Sequence, residues 1–252
     1  IMIKTFRIFG AGEWGLAVAN HLSCLNNKVE VFLRDDYKIN EYNESLFYKG
    51  LELSFNKNIV FRNLKDLNHL SNNGDNFNII ASSSSGFTDI INSYNIYFKS
   101  CESIIWLTKG LDHSKGLLFH EIIDKALSPK IKKCIISGPS FAKDLVAMKP
   151  LKVSIASTCG ILANSIISIM ETKNLEFEKT SDIIGVEISG VIKNISGILA
   201  GILTANLYPD EYIEELISLS QKDVKSISKK ITSSQSSYIV TEEQLEKTVL
   251  SP

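Results

Sequence analysis

The chain has 252 residues, with 27 Lys and Arg balanced by 28 Asp and Glu for a formal net charge of −1. That balance gives no electrostatic case for nucleic acid or for an anionic membrane surface as partner. A hydrophobic content of 44% with 22% charged residues supports one large domain or two smaller ones around a sizeable core.

Residues 3 to 9, "IKTFRIF", form a β-rich run that ends in "GAGEWG" and opens a helical stretch, "LAVANHLSCL". "KVEVFLR" (28–34) alternates and predicts a second strand. "NIVF" (58–61), "FNIIAS" (77–82), "SIIWLT" (103–108) and "KCIIS" (133–137) are further apolar runs between polar loops, with helical segments near 86–99 and 114–127. "KVSIAS" (152–157), a helix near 159–171 and "LEFEK" (175–179) continue the alternation. Strands alternating with helices predict an α/β fold with a parallel, doubly wound sheet.

After about residue 180 the pattern changes. "DIIGVEISGVIKNISGILAGILTANL" reads as a long helix rich in small residues, and "PDEYIEELISLSQKDVKSISKKI" as an amphipathic one. A further short strand is expected at "SYIV" (237–240). The division predicted is a nucleotide-binding domain over 1–179 and an all-α substrate domain over 180–252. No apolar run approaches the ~18 residues of a membrane span, and no signal-peptide pattern opens the chain. Cys24, Cys101, Cys134 and Cys159 follow neither a CxxC nor a Cys/His ligand spacing. They predict reduced, mostly buried thiols of a cytoplasmic protein, and no metal site.

Gly10, Gly12 and Gly15 supply GxGxxG. The pattern is weak alone, but here it follows a predicted strand, opens a helix and sits in a strand–helix–strand unit, the context that dinucleotide binding requires. The glycines allow a tight turn and let a pyrophosphate approach the N–H groups of the helix N-terminus in a Rossmann-like domain. After the second strand, where NAD-preferring proteins carry an acidic residue, stand Leu33, Arg34 and Asp35. Arg34 suits a 2′-phosphate and favours NADP(H); Asp35 keeps NAD(H) open. "LTKG" (107–110) and "SGPSFAKD" (137–144) each end a strand at the carboxyl edge of the sheet, where such folds bind ligands. Ser137 is a candidate N-cap for the helix that follows, with Pro139 in its first turn. Lys193 lies beside Gly190 and Gly197 on a helical wheel. Glycine costs a helix interior about 1 kcal/mol, so a face cleared by glycines implies a close neighbour.

"GAGEWGLAVA", "TKGL", "SGPSFAKDL" and "DIIGVEISGVIKNISGILAGI" occur in this order over residues 3 to about 202. Together they resemble the NAD(P)-dependent sn-glycerol-3-phosphate dehydrogenases of the bacterial type. The resemblance implies that the glycine turn with Glu13 and Trp14, together with Arg34, Lys109 and Ala142, holds the cofactor. It implies that Lys109, Gly138 and Ser140 contact the substrate, and that Lys193 donates or accepts the proton. Asn194 is the candidate for orienting that lysine or the substrate. The implied reaction is reduction of dihydroxyacetone phosphate to sn-glycerol 3-phosphate, which feeds glycerophospholipid synthesis. A base or acid must stand near the reacting oxygen, and a desolvated lysine has its pKa lowered toward the useful range.

Two alternatives remain open: a β-hydroxy acid dehydrogenase of the same superfamily, and a non-catalytic nucleotide-binding fragment. The family's later "GDL-x-LTC" and "SRN" segments are absent, and the match is poor from Ala205 onward. With Ile1 before Met2 and the ending "TVLSP", the sequence reads as a partial chain that binds NADPH but turns over dihydroxyacetone phosphate hardly at all. Oligomeric state is left open, with a homodimer among the options.

Overall fold

The computed structural model describes residues 3–70, 76–138 and 141–231. β1 (Thr5–Phe9) is followed by α1 (Glu13–Cys24), β2 (Lys28–Leu33) and α2 (Asp36–Ser45). A small hairpin of β3 (Phe47–Tyr48) and β4 (Leu53–Ser54) precedes β5 (Ile59–Asn63), β6 (Asn76–Ile80), α3 (Ser84–Ser93) and α4 (Asn95–Lys99). Next come β7 (Ser103–Trp106), α5 (Phe119–Ala126), β8 (Lys132–Ser137), α6 (Ala142–Val146), β9 (Leu151–Ser157), α7 (Gly160–Met170) and β10 (Leu175–Thr180). The helices α8 (Ile183–Ala205) and α9 (Asp210–Ile231) complete the described chain. The strand expected at 237–240 lies outside the described residues.

Eight strands form one sheet in the order β10-β9-β8-β7-β6-β1-β2-β5. The chain builds outward from β1 through β2 to β5, then returns to pair β6 on the other side of β1. This reversal opens a crevice at the carboxyl ends of β1 and β6, the place where doubly wound sheets bind ligands.

The expectation of a wholly parallel sheet needs correction. β9 runs antiparallel to β8, pairing Cys134 with Ser157 and Ser137 with Ser154, while β10 is parallel to β9. Helix length explains the reversal. The connection from β8 to β9 carries only the five residues of α6, which pack on α1, where a parallel crossover normally uses a full-length helix. The chain therefore re-enters the sheet at the edge it has just left.

Side chains of a strand alternate between faces, and β1 shows the result. Phe6 and Ile8 enter a core with Leu16 and Leu22 of α1, Leu145 of α6 and Ile166 of α7. Phe9 enters the opposite core with Phe87 and Ile91 of α3, Phe98 of α4 and Phe119 of α5. That second core also takes Ile183, Val186, Ile188 and Ala200 of α8 with Ile213, Ile217 and Val224 of α9. The apolar interior thus continues from the sheet into the last two helices.

Among the described residues α8, with 23 residues, is long and apolar enough by length and composition to cross a membrane. Of its most apolar 18-residue window, however, 56% is buried inside the fold. It packs on α9, β8 and β9 and buries Glu187 and Lys193. Its N-terminal half serves this interior contact, while Ile195, Ile198, Leu199 and Ile202 of its C-terminal half are exposed. Of the cysteines, Cys101 and Cys134 are buried, Cys159 is half-buried and Cys24 is exposed.

Candidate active site

Gly10 begins the turn after β1 with φ +119°, and its N–H donates to the Phe32 carbonyl at 2.9 Å. A Cβ there would lie 2.6 Å from the Ala81 carbonyl oxygen. The turn therefore needs glycine for conformation and for space alike. A Cβ on Gly15 would come within 2.7 Å of the Gly10 carbonyl oxygen, so α1 seats directly on its own turn. Gly12, the N-cap of α1, differs: nothing lies within 4 Å of a Cβ built on it. The first N–H groups of α1 lack partners within the helix, and at Gly12 a ligand has room to approach them.

The adjoining cleft of about 310 Å³ is lined by Gly10, Gly12, Arg34, Ser82, Ser83 and Asp89 among others. Arg34 is exposed and donates to Asp89 Oδ2 at 3.3 Å. Asp35 is the N-cap of α2: its Oδ1 accepts the N–H groups of Tyr37 at 3.0 Å and Lys38 at 3.2 Å. That capping helix was not expected from the sequence. It gives Asp35 a structural duty at the place where a ribose hydroxyl would be bound.

The lysines meet one strand away. Lys109 follows β7 and its Nζ donates to the Gly138 carbonyl at 2.9 Å, bridging the ends of β7 and β8. α8 crosses this point with Gly190 facing down. A Cβ there would sit 3.4 Å from Ser137 Oγ and 3.9 Å from Lys109 Cγ. One turn on, Lys193 is 5% exposed. Burial, with repulsion from Lys109 added, lowers its amine to about 6. Burial also lowers half-buried Lys109, to about 8. Two amines thus share a pocket with too little water for both to be charged, and a dianionic ligand would favour their charged forms.

The remaining expected residues separate. Ala142 is the buried first residue of α6, and Trp14 packs partly buried against the core. Glu13 is exposed in the first turn of α1, and Asn194 is exposed on α8 beside Lys193. Ser140 lies outside the described residues. Ser137 is not an N-cap: it is the buried last residue of β8, and α6 begins after Phe141 without a side-chain cap. Sequence reasoning missed the run Ser82–Gly86 on the far wall of the crevice, where Ser83 caps α3 by accepting the Gly86 N–H at 3.2 Å. Its signal was a small polar run, "SSSSG", directly after a strand. It also missed Glu187, which is buried on α8 and accepts the His120 N–H at 3.1 Å.

Residues 5–163 match the family model described as the N-terminus of NAD-dependent glycerol-3-phosphate dehydrogenase. A glycerol-3-phosphate dehydrogenase [NAD(P)+] of Vesicomyosocius okutanii is 28% identical over 239 residues, covering 94% of this chain and 71% of the relative. One of Ruthia magnifica is 31% identical over 208 residues, covering 80% of this chain and 59% of the relative. The crystal structure of glycerol-3-phosphate dehydrogenase from Coxiella burnetii superposes with a TM-score of 0.82 at 23% identity, covering 96% of this chain and 72% of that one. The last comparison establishes a shared fold.

Proposed function

Because the chain belongs to the family of NAD-dependent glycerol-3-phosphate dehydrogenases, we propose that its site reduces dihydroxyacetone phosphate to sn-glycerol 3-phosphate with NADPH or NADH. The observation that carries the reading is the pair Lys193 and Lys109. Both are desolvated, at about 6 and about 8, and Lys109 follows β7, which β6 separates from the strand that carries the glycine turn.

The open backbone at Gly12 and the cleft beside it fit a dinucleotide: the N–H groups of α1 would hold the pyrophosphate, and Arg34 on the cleft wall would be available to a 2′-phosphate. Bound there, the nicotinamide supplies a hydride to the carbonyl carbon. Lys193 supplies the proton to the carbonyl oxygen as it becomes an alkoxide, and the transfer leaves its amine neutral. Burial makes this proton easy to give up. Lys109, fixed by the Gly138 carbonyl, orients the substrate and offsets its phosphate charge. A dianion beside the two amines favours their charged forms, so substrate binding itself loads Lys193 with its proton. The product supplies glycerophospholipid synthesis, and the enzyme acts in the cytoplasm.

The test is dihydroxyacetone phosphate-dependent oxidation of NADPH by an intact version of the enzyme and by its Lys193→Ala variant. A positioned acid is worth ~10²–10⁴ in rate. The expected result is that Lys193→Ala loses turnover by this factor at unchanged NADPH affinity. Equal turnover in the two proteins overturns the assignment.

A further inference from the structure

Glu187 is 2% exposed on α8, where the side chains around it in sequence, from Ile183 to Ile192, are small or apolar. A buried carboxylate is costly unless it is paired and hydrogen-bonded. Its partners come from one place, the N-terminus of α5. The His120 backbone N–H donates to Oε1 at 3.1 Å, the Phe119 N–H donates as well, and the His120 Nδ1 meets Oε2. Burial works to lower the imidazole, but its hydrogen bond to Glu187 and the charges of Glu187, Glu121 and Asp124 outweigh that and raise it. Glu121 and Asp124 have other partners, the Leu118 N–H and Lys133.

The spacing on α8 links this pair to the lysine pocket. Glu187, Gly190 and Lys193 are successive members of one i, i+3 row. Glu187 meets α5, Gly190 seats on Ser137 and Lys109, and Lys193 lies near enough to Lys109 to feel its charge. Glu187 and Lys193 are about 9 Å apart along the axis. The other large contacts of α8, with α9, β8 and β9, bury Ile183, Val186, Ile188 and Ala200 in the apolar core, whereas Glu187 ties α8 to α5 through directional hydrogen bonds. Ser196 bonds Ser220, which ties α8 to α9 rather than to α5. A rotation of about 20° moves an atom at the outer radius of a helix by about 2 Å. That is enough to lift Lys193 from Lys109.

We propose that Glu187 and His120 are a positioning pair: the carboxylate, received at the N-terminus of α5, fixes the rotation of α8 and so holds Lys193 against Lys109. The proposal rests on the reading of Lys193 as the proton donor. Neither residue touches the reacting atoms.

The test follows the Lys193 amine directly, by NMR titration of 13C-methylated lysines in the ligand-free chain, with Lys193→Arg identifying the signal. Glu187→Gln and His120→Ala release the rotation. Each is expected to raise the Lys193 midpoint by about one unit or more as the amine regains water. His120→Gln keeps a side-chain donor toward Glu187 and is expected to hold the midpoint near that of the parent. If Glu187→Gln does not fold, the contrast between His120→Ala and His120→Gln decides. An unmoved midpoint in folded His120→Ala or Glu187→Gln overturns the proposal. Loss of the enzymatic reading would show elsewhere, as unchanged turnover in Lys193→Ala.

Discussion

The nucleotide crevice and the lysine pocket lie at the same edge of one sheet but are built on opposite terms. The crevice is made of backbone. A Cβ on Gly10 or Gly15 would fall within 2.7 Å of neighbouring main chain, while Gly12 and the exposed Arg34 are open to solvent. The pocket is made of side chains held away from water, with Lys193 5% exposed beside Lys109. A crevice of N–H groups recognises a phosphate by geometry and changes little when it binds. A pocket of desolvated cations changes protonation with its ligand, which suits it to proton transfer.

The largest expected effect is in the crevice's frame. Gly10→Ala forces an alanine to φ +119° and brings its Cβ against the Ala81 carbonyl. It should cost about 3 kcal/mol or more of stability in denaturant unfolding. Gly12→Ala, with no atom within 4 Å of the new methyl, should leave stability within about 0.5 kcal/mol while weakening nucleotide binding. Equal stability losses in the two variants would erase the distinction between frame and opening.

A smaller effect is expected at the crevice's mouth. Charge-assisted contact of Arg34 with a 2′-phosphate is worth roughly 1.5–3 kcal/mol, about a ten- to hundredfold preference for NADPH over NADH. The ion pair with Asp89 must first open, but both side chains are more than half exposed, and such pairs contribute only ~0–1 kcal/mol. The preference should therefore sit at the lower end of that range and shrink in Arg34→Ala, read from paired cofactor titrations. Identical titrations of the two cofactors by the parent would remove Arg34 from recognition.

The frame was legible in the sequence because its requirements are local. A glycine with positive φ after a strand, and a helix opening at once, leave their mark on six consecutive residues. The lysine pocket was legible by resemblance and by the glycine face of α8, which the structure explains through the contact of Gly190 with Ser137 and Lys109. The direction of β9 depended on how short α6 would be, and that boundary is not written in periodicity. Glu187 was hidden for a different reason. Its partner His120 is 67 residues away, and one acidic residue in an apolar helix does not say which element will receive it.

The two lysines offer the sharpest test. Because burial disfavours the charged amine of Lys193, the folded ligand-free chain binds fewer protons than the unfolded chain. The stability linked to this group is present above the unfolded lysine value and is lost as pH falls through about 6. The direct measurement is the pH dependence of acylation at each lysine by an amine-selective reagent, read peptide by peptide in the ligand-free protein. The structure predicts midpoints of about 6 for Lys193 and about 8 for Lys109. Midpoints for both near the ordinary lysine value of ~10.4 would mean that the pocket is hydrated, and would contradict its role in proton transfer.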